Sequence, residues 1–154
     1  MNTGVVSMRY ARALLLLTEE SGRGEAVFQQ ARLLLKDPST VPQPLEPDLE
    51  KLVVLLHRNG RGEYLRLVLN DFIRIWCRST GAKLVHLTTA APAPGLPERL
   101  AGILGGRVFF DTEVDPGIEG GFTIIMDDIL LDASVKGQLE RIRRQFIERN
   151  QRIV

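Results

Sequence analysis

The sequence predicts two small folded units. One is an all-α helical bundle of about four helices over residues 1–80. The other is an α+β unit over residues 81–154, built as a small sheet with a hairpin and a C-terminal helix. Three observations predict this division. Apolar residues recur at helical spacing as far as Ser79, and from Gly81 the period changes to two. The stretch from Val114 to Phe146 then reads in order as turn, strand, turn, strand, cap and amphipathic helix.

Val6, Tyr10, Leu14 and Leu17 recur at i, i+4, i+8 and i+11, which predicts an amphipathic first helix ended by Gly22 and Gly24. The second helix is expected from about Glu25 to Lys36, with Phe28, Ala31 and Leu35 on one face, and Asp37-Pro38 stops it. Pro38, Pro42, Pro44 and Pro47 then rule out regular helix and predict an exposed, stiff connection. Helical period returns from Asp48 through Leu49, Leu52, Val53 and Leu56, and Asn59-Gly60 provides a stop that tolerates positive φ. The fourth helix runs from about Gly62 to Ser79. It carries Leu65, Val68, Leu69, Phe72, Ile75 and Trp76 inward and Arg66, Asp71, Arg74 and Arg78 outward.

Beyond a boundary near Ser79 to Ala82, Lys83 to Thr89 alternates Val85, Leu87 and Thr89 against Leu84, His86 and Thr88, as a strand does. Leu96, Leu100, Ile103 and Leu104 predict a short helix with Pro97 in its first turn and Gly105-Gly106 after it. Val108 to Phe110 is a second strand. Asp115-Pro116-Gly117 and Gly120-Gly121 punctuate the chain before the strand Phe122 to Met126. Asp127-Asp128 reverses it into Ile129 to Leu131. Asp132 or Ser134 caps the last helix, on which Val135, Leu139, Ile142 and Phe146 share a face.

Composition narrows the classes of function. A hydrophobic content of 44% over 154 residues can fill one ordinary core or two small ones, and a formal net charge of +1 does not fit a general polyanion binder. The longest apolar runs, such as Ala13 to Leu17, are far short of a membrane span, and Arg9 and Arg12 interrupt any signal-like stretch. The chain is therefore expected on the cytoplasmic side without direct membrane insertion. A single Cys77 beside Trp76 suits a reducing compartment and a buried position.

No catalytic, cofactor or metal constellation is expected. His57 and His86 lie in different units without ligand spacing, and Ser134 sits in Asp-Ala-Ser rather than in a nucleophile elbow. Gly120-Gly121 precedes a strand and lacks the lysine of a phosphate loop. Asp127-Asp128 reads as a turn. The last helix is locally basic, with Lys136, Arg141, Arg143, Arg144, Arg149 and Arg152 against Glu140 and Glu148. From composition alone it is a solvated face complementing the helix dipole. Nucleic-acid binding would call for interleaved aromatics, and this segment offers only Phe146. A rival reading is a small α+β ligand-binding or enzymatic domain using Asp132 and Ser134.

The ordered set Asp115-Pro116, Ile118, Gly120-Gly121-Phe122, Asp132-Ala133-Ser134-Val135 and Gln138-Leu139 resembles the C-terminal signature of the delta subunit of F-type ATP synthases. That family includes the mitochondrial oligomycin-sensitivity-conferring protein. Glu119 departs from the family's usual glycine. Tyr10-Ala11-Arg12-Ala13-Leu14 is similar to the family's opening motif, and the proline-rich connection stands where typical members carry a helical hairpin. The resemblance implies a non-catalytic peripheral-stalk (stator) subunit. Its N-terminal unit would grip the amphipathic N-terminal helices of alpha subunits, and its C-terminal unit would hold the membrane-anchored b-subunit stalk. On that reading, partner contacts fall on Tyr10, Ala11, Leu14 and Leu15 of the first helix, Leu49 and Val53 of the third, and Arg141, Arg143 and Arg144 of the last. From the pattern itself Tyr10, Leu14 and Leu17 read most simply as bundle core, while a second apolar stripe of Ala11, Leu15 and part of Ala13 would form an exposed groove for another helix. Asp115, Pro116, Gly120, Gly121, Asp132 and Ser134 would be structural. The implied location is the cytoplasmic face of the energy-transducing plasma membrane.

Overall fold

The structure, a computed structural model, describes residues 2–40 and 43–151, with side chains as far as residue 149. Pro42 and Arg152, both singled out in the sequence, lie outside the described residues. The chain divides into two compact units, residues 1–80 and 81–154.

The first unit contains α1 (Thr3–Ser21), α2 (Gly24–Lys36), α3 (Pro47–Arg58) and α4 (Leu65–Thr80). Local chemistry sets each boundary. The Asn2 side chain accepts the Gly4 N–H at 3.2 Å to cap α1, and Gly22 ends it in the left-handed conformation at φ 70°. Gly24 does not end α1 but opens α2, where a Cβ would sit 2.7 Å from Trp76 Nε1. Pro47 belongs to α3 rather than to the connection, since its missing N–H costs nothing in a first turn, and Asp48 and Glu50 complement the helix dipole there. Within the connection, Pro38–Thr40 forms one 3-10 turn, tied by Ser39 donating to Asp37.

α1 lies chiefly along α4, and α2 packs on α4 as well. Phe28 of α2 is fully buried and stacks on Trp76 of α4 with ring centroids 4.2 Å apart and planes 20° from parallel. Leu49, Leu52 and Leu56 of α3 and Val68, Leu69 and Phe72 of α4 complete the core. Burying each such side chain contributes roughly 1.5–3 kcal/mol.

Asp71, expected outward, is 8% exposed and faces α1. Its carboxylate accepts the Ser7 hydroxyl at 2.6 Å and pairs with Arg74 one turn on. Burial is tolerable because both oxygens are used, so the residue ties α1 to α4 instead of facing solvent. At the other end of α1, Ser21 donates to the buried Asp48 of α3. Ile73 is buried and Ile75 only half-buried, reversing the expected order within α4.

The second unit has four strands, β1 (Lys83–Thr89), β2 (Val108–Val114), β3 (Phe122–Met126) and β4 (Ile129–Asp132), in the order β2-β1-β3-β4. β1 pairs with β2 in parallel, across the helix α5 (Leu96–Leu104), and with β3 antiparallel, while β3 and β4 form the hairpin. β2 continues beyond Phe110 to Val114, because β1 offers it partners as far as Thr89. Register places Val85, Leu87, Phe110 and Ile124 on one face. There Leu96, Leu100 and Leu104 of α5 cover them. The helix that the sheet's apolar side needs is thus α5.

Candidate functional site

The last helix, α6 (Val135–Gln151), leaves the hairpin and keeps its apolar stripe in solvent. Val135, Leu139, Ile142 and Phe146 are 42%, 55%, 50% and 66% exposed. Their spacing of i, i+4, i+7 and i+11 is that of a helix made to lie against another helix. Lys136, Arg141, Arg143, Arg144 and Arg149 are exposed on the same element. The combination of an uncovered apolar seam and a basic excess is the most pronounced surface feature of the second unit. β4 adds exposed Ile129, Leu130 and Leu131 beside it.

The residues expected to be structural meet where α6 begins. Ser134 is buried. Its N–H and hydroxyl both donate to Asp132 Oδ1, at 2.9 and 2.5 Å, and its Oγ accepts the Gly137 N–H at 3.0 Å. These hydrogen bonds from Ser134 hold the Asp132 carboxyl below the usual carboxylate range, with a smaller contribution from Arg141. Arg141 also donates to the Asp132 carbonyl. From the other side, Val135 N–H donates to the Gly120 carbonyl at 3.0 Å and Ala133 N–H to the Phe122 carbonyl at 2.9 Å. Asp115 caps the 3-10 turn Pro116–Ile118 by accepting the Gly117 N–H at 2.9 Å. Glu119 closes that turn in the left-handed region, φ 63° and ψ 13°, which a glycine occupies without the Cβ penalty. Ser134 is therefore engaged as the cap of α6, and Asp132 in holding that cap in place.

In the first unit the expected partner residues separate into two groups. Ala11 and Leu49 are 0% exposed and Leu14 2%, so they are core. The exposed stripe expected on α1 does not include Ala11, because α1 turns that side onto the bundle. Leu15 and Val53 are half-buried. Tyr10 is half-buried too, with its hydroxyl accepting from Asn59 and Arg61, each at 3.0 Å, and Arg61 5.9 Å over its ring. Those two donors, Asn59 first, lower the Tyr10 pKa from its ordinary phenolic value. Tyr10 thus fastens α1 to the turn after α3.

The apolar residues that α3 does expose are its neighbours, Val54 at 52% and Leu55 at 45%. With Pro47, Glu50, Lys51 and Arg58 they line a shallow open depression. Counting the exposed apolar positions that follow Val53 was the available signal for them. A period fitted to the core marks the residues that bury and passes over those next to them.

The histidines are apart. His57 Nδ1 lies 2.9 Å from the Val53 carbonyl one turn back, and His86 lies 3.6 Å from Asp111 across β1 and β2. Among the described residues, no three His, Cys, Asp or Glu side chains are grouped to hold a metal ion, and no helix is long and apolar enough to cross a membrane.

Two small units, the second ending in a basic helix whose apolar stripe is exposed, are the features that define the chain's architecture. Comparison with known proteins gives the family. The profile described as ATP synthase delta (OSCP) subunit matches residues 39–146. The ATP synthase subunit delta of Phocaeicola vulgatus is 30% identical over the whole of both chains, in an alignment of 185 positions. Because this chain has 154 residues, that relative carries segments without counterpart here. The subunit delta of Myxococcus xanthus is 29% identical, covering 94% of this chain and 97% of its own. In fold, the chain is similar to one in the cryo-EM structure of the Toxoplasma gondii mitochondrial ATP synthase hexamer. The TM-score is 0.61 at 20% identity, over 92% of this chain and 97% of that one. The chain belongs to the ATP synthase delta (OSCP) subunit family. It is a structural, non-catalytic subunit of the peripheral stalk, peripheral to the membrane complex.

Proposed function

We propose that the chain ties the catalytic head of an ATP synthase to its membrane-anchored stalk on the cytoplasmic face of the membrane. The first unit grips an amphipathic N-terminal helix of an alpha subunit, and α6 holds the b-subunit stalk. The observation that carries this reading is the uncovered stripe of α6, Val135, Leu139, Ile142 and Phe146, on a basic helix. An acidic amphipathic helix would cover the seam and pair with Arg141, Arg143 and Arg144. Apolar burial then supplies affinity, and charge supplies orientation and speed of encounter. On the head side, Val54 and Leu55 of α3 offer apolar surface rimmed by Lys51 and Arg58. They replace Ala11, Leu14 and Leu49 as the proposed contacts, since those three are enclosed by the bundle.

Titration of the full chain with a synthetic alpha-subunit N-terminal peptide, followed by amide chemical shifts, tests the head side. The peptide is expected to become helical and to move the amides of α3. Val54→Asp with Leu55→Asp is expected to weaken it at least tenfold, about 1.4 kcal/mol or more. Unchanged binding by that variant contradicts the assignment of α3.

A further inference from the structure

α6 has very little to lean on. Of its described side-chain positions from Val135 to Arg149, only Gly137 is buried. Its attachment to the sheet is concentrated in its first two turns. There Gly120 receives the Val135 N–H, Ser134 receives the Gly137 N–H, and Asp132 receives Ser134 through its carboxylate and Arg141 through its carbonyl. Three glycines make this approach possible. A Cβ on Gly137 would overlap the Asp132 carboxylate, and one on Gly121, at φ 74°, would overlap the Ala133 carbonyl. A Cβ on Gly120 would stand 3.0 Å from Val135 Cγ2. Gly137 is especially telling: it stands in the first turn of α6, where the Asp132 carboxylate leaves no room for a Cβ.

We propose that Gly120, Gly121, Asp132, Ser134 and Gly137 form a locked joint that fixes the direction in which α6 leaves the sheet. The residues act through α6 and touch no partner; they are positioning residues. A tether between two partners has to hold its angle as well as bind, and an α6 free to swivel would pay the ordering cost each time it engaged. That consequence for binding rests on the assignment of α6 to the stalk, whereas the joint stands on its own geometry.

The test uses spin labels at Glu98→Cys on α5 and Glu148→Cys on α6, in the full chain with Cys77→Ala, and reads the distance between them by double electron–electron resonance. One narrow peak is expected. Gly137→Ala and Asp132→Ala are each expected to lose that peak, while Asp132→Asn, which keeps the oxygen that accepts Ser134, retains it. Amide protection of β1 confirms that the sheet persists, and where Gly137→Ala disturbs it, Asp132→Ala decides. A Gly137→Ala protein whose sheet persists and whose peak is unchanged or sharper, as propensity alone dictates, overturns the joint. So does an Asp132→Ala protein that keeps the peak. Loss of the peak with unchanged affinity for a synthetic stalk helix leaves the joint standing and removes α6 from the stalk contact.

Discussion

Replacing Ile142 and Phe146 of α6 by Asp is expected to lower affinity for the stalk on the order of 100-fold or more, while the free protein melts at an unchanged temperature. Both side chains are at least half exposed in the free chain, so little folding free energy depends on them. In a helix-to-helix contact each would bury its remaining exposed half to two-thirds, about 1–2 kcal/mol per side chain, and desolvating the two introduced carboxylates raises the loss to about two decades in Kd. Calorimetric titration with a stalk fragment, beside a thermal melt of each variant, separates the two effects. Charge reversal of Arg141, Arg143 and Arg144 is expected to act differently, slowing association and flattening or reversing its fall with added salt. A drop in melting temperature for the apolar variant would mean that α6 packs against its own chain instead.

The largest effect on stability is expected from Phe28→Ala. Phe28 is fully buried and stacked on Trp76, joining α2 to α4. Truncating a buried phenylalanine costs about 3–5 kcal/mol, through lost transfer free energy and the cavity left behind. For a unit of about eighty residues that is a large share of total stability. Trp76 is the only tryptophan in the chain, so its fluorescence reports denaturation of the first unit directly. The variant is expected to lose head binding as that unit melts. Amide protection of β1 in the second unit should persist at temperatures where the Trp76 signal has been lost.

Much of the architecture was legible in the sequence because two signals agreed. The period changed from helical to alternating at Gly81, and each break carried its own punctuation: Gly22, Asn59-Gly60, Gly105-Gly106, Asp127-Asp128. The strand Phe122–Met126 and the facing of Val85, Leu87 and Thr89 followed from period two alone. What period could not convey was the use of polar residues inside. Asp71 looks like a solvent residue until Ser7, 64 positions earlier, is brought to 2.6 Å by the packing of α1 on α4. The same long-range packing decides that Ala11 and Leu49 are core and that Val54 and Leu55 face out. Gly137 carried no pattern at all. Its meaning lies in the distance to Asp132, five residues back across a cap. The stripe on α6 was legible as a stripe, but whether a stripe covers its own sheet or waits for a partner depends on α5 having already taken the sheet's apolar face.

The central claim is that one chain holds two protein partners at once and performs no chemistry. A bridging measurement addresses it most directly: immobilised stalk fragment, a soluble catalytic head, and the chain added between them. Retention of the head only when the chain is present, lost with either Val54→Asp/Leu55→Asp or Ile142→Asp/Phe146→Asp, is the predicted result. Contradiction would come from binding of head and stalk fragment in competition for the chain, or from retention of the head undiminished by both variants.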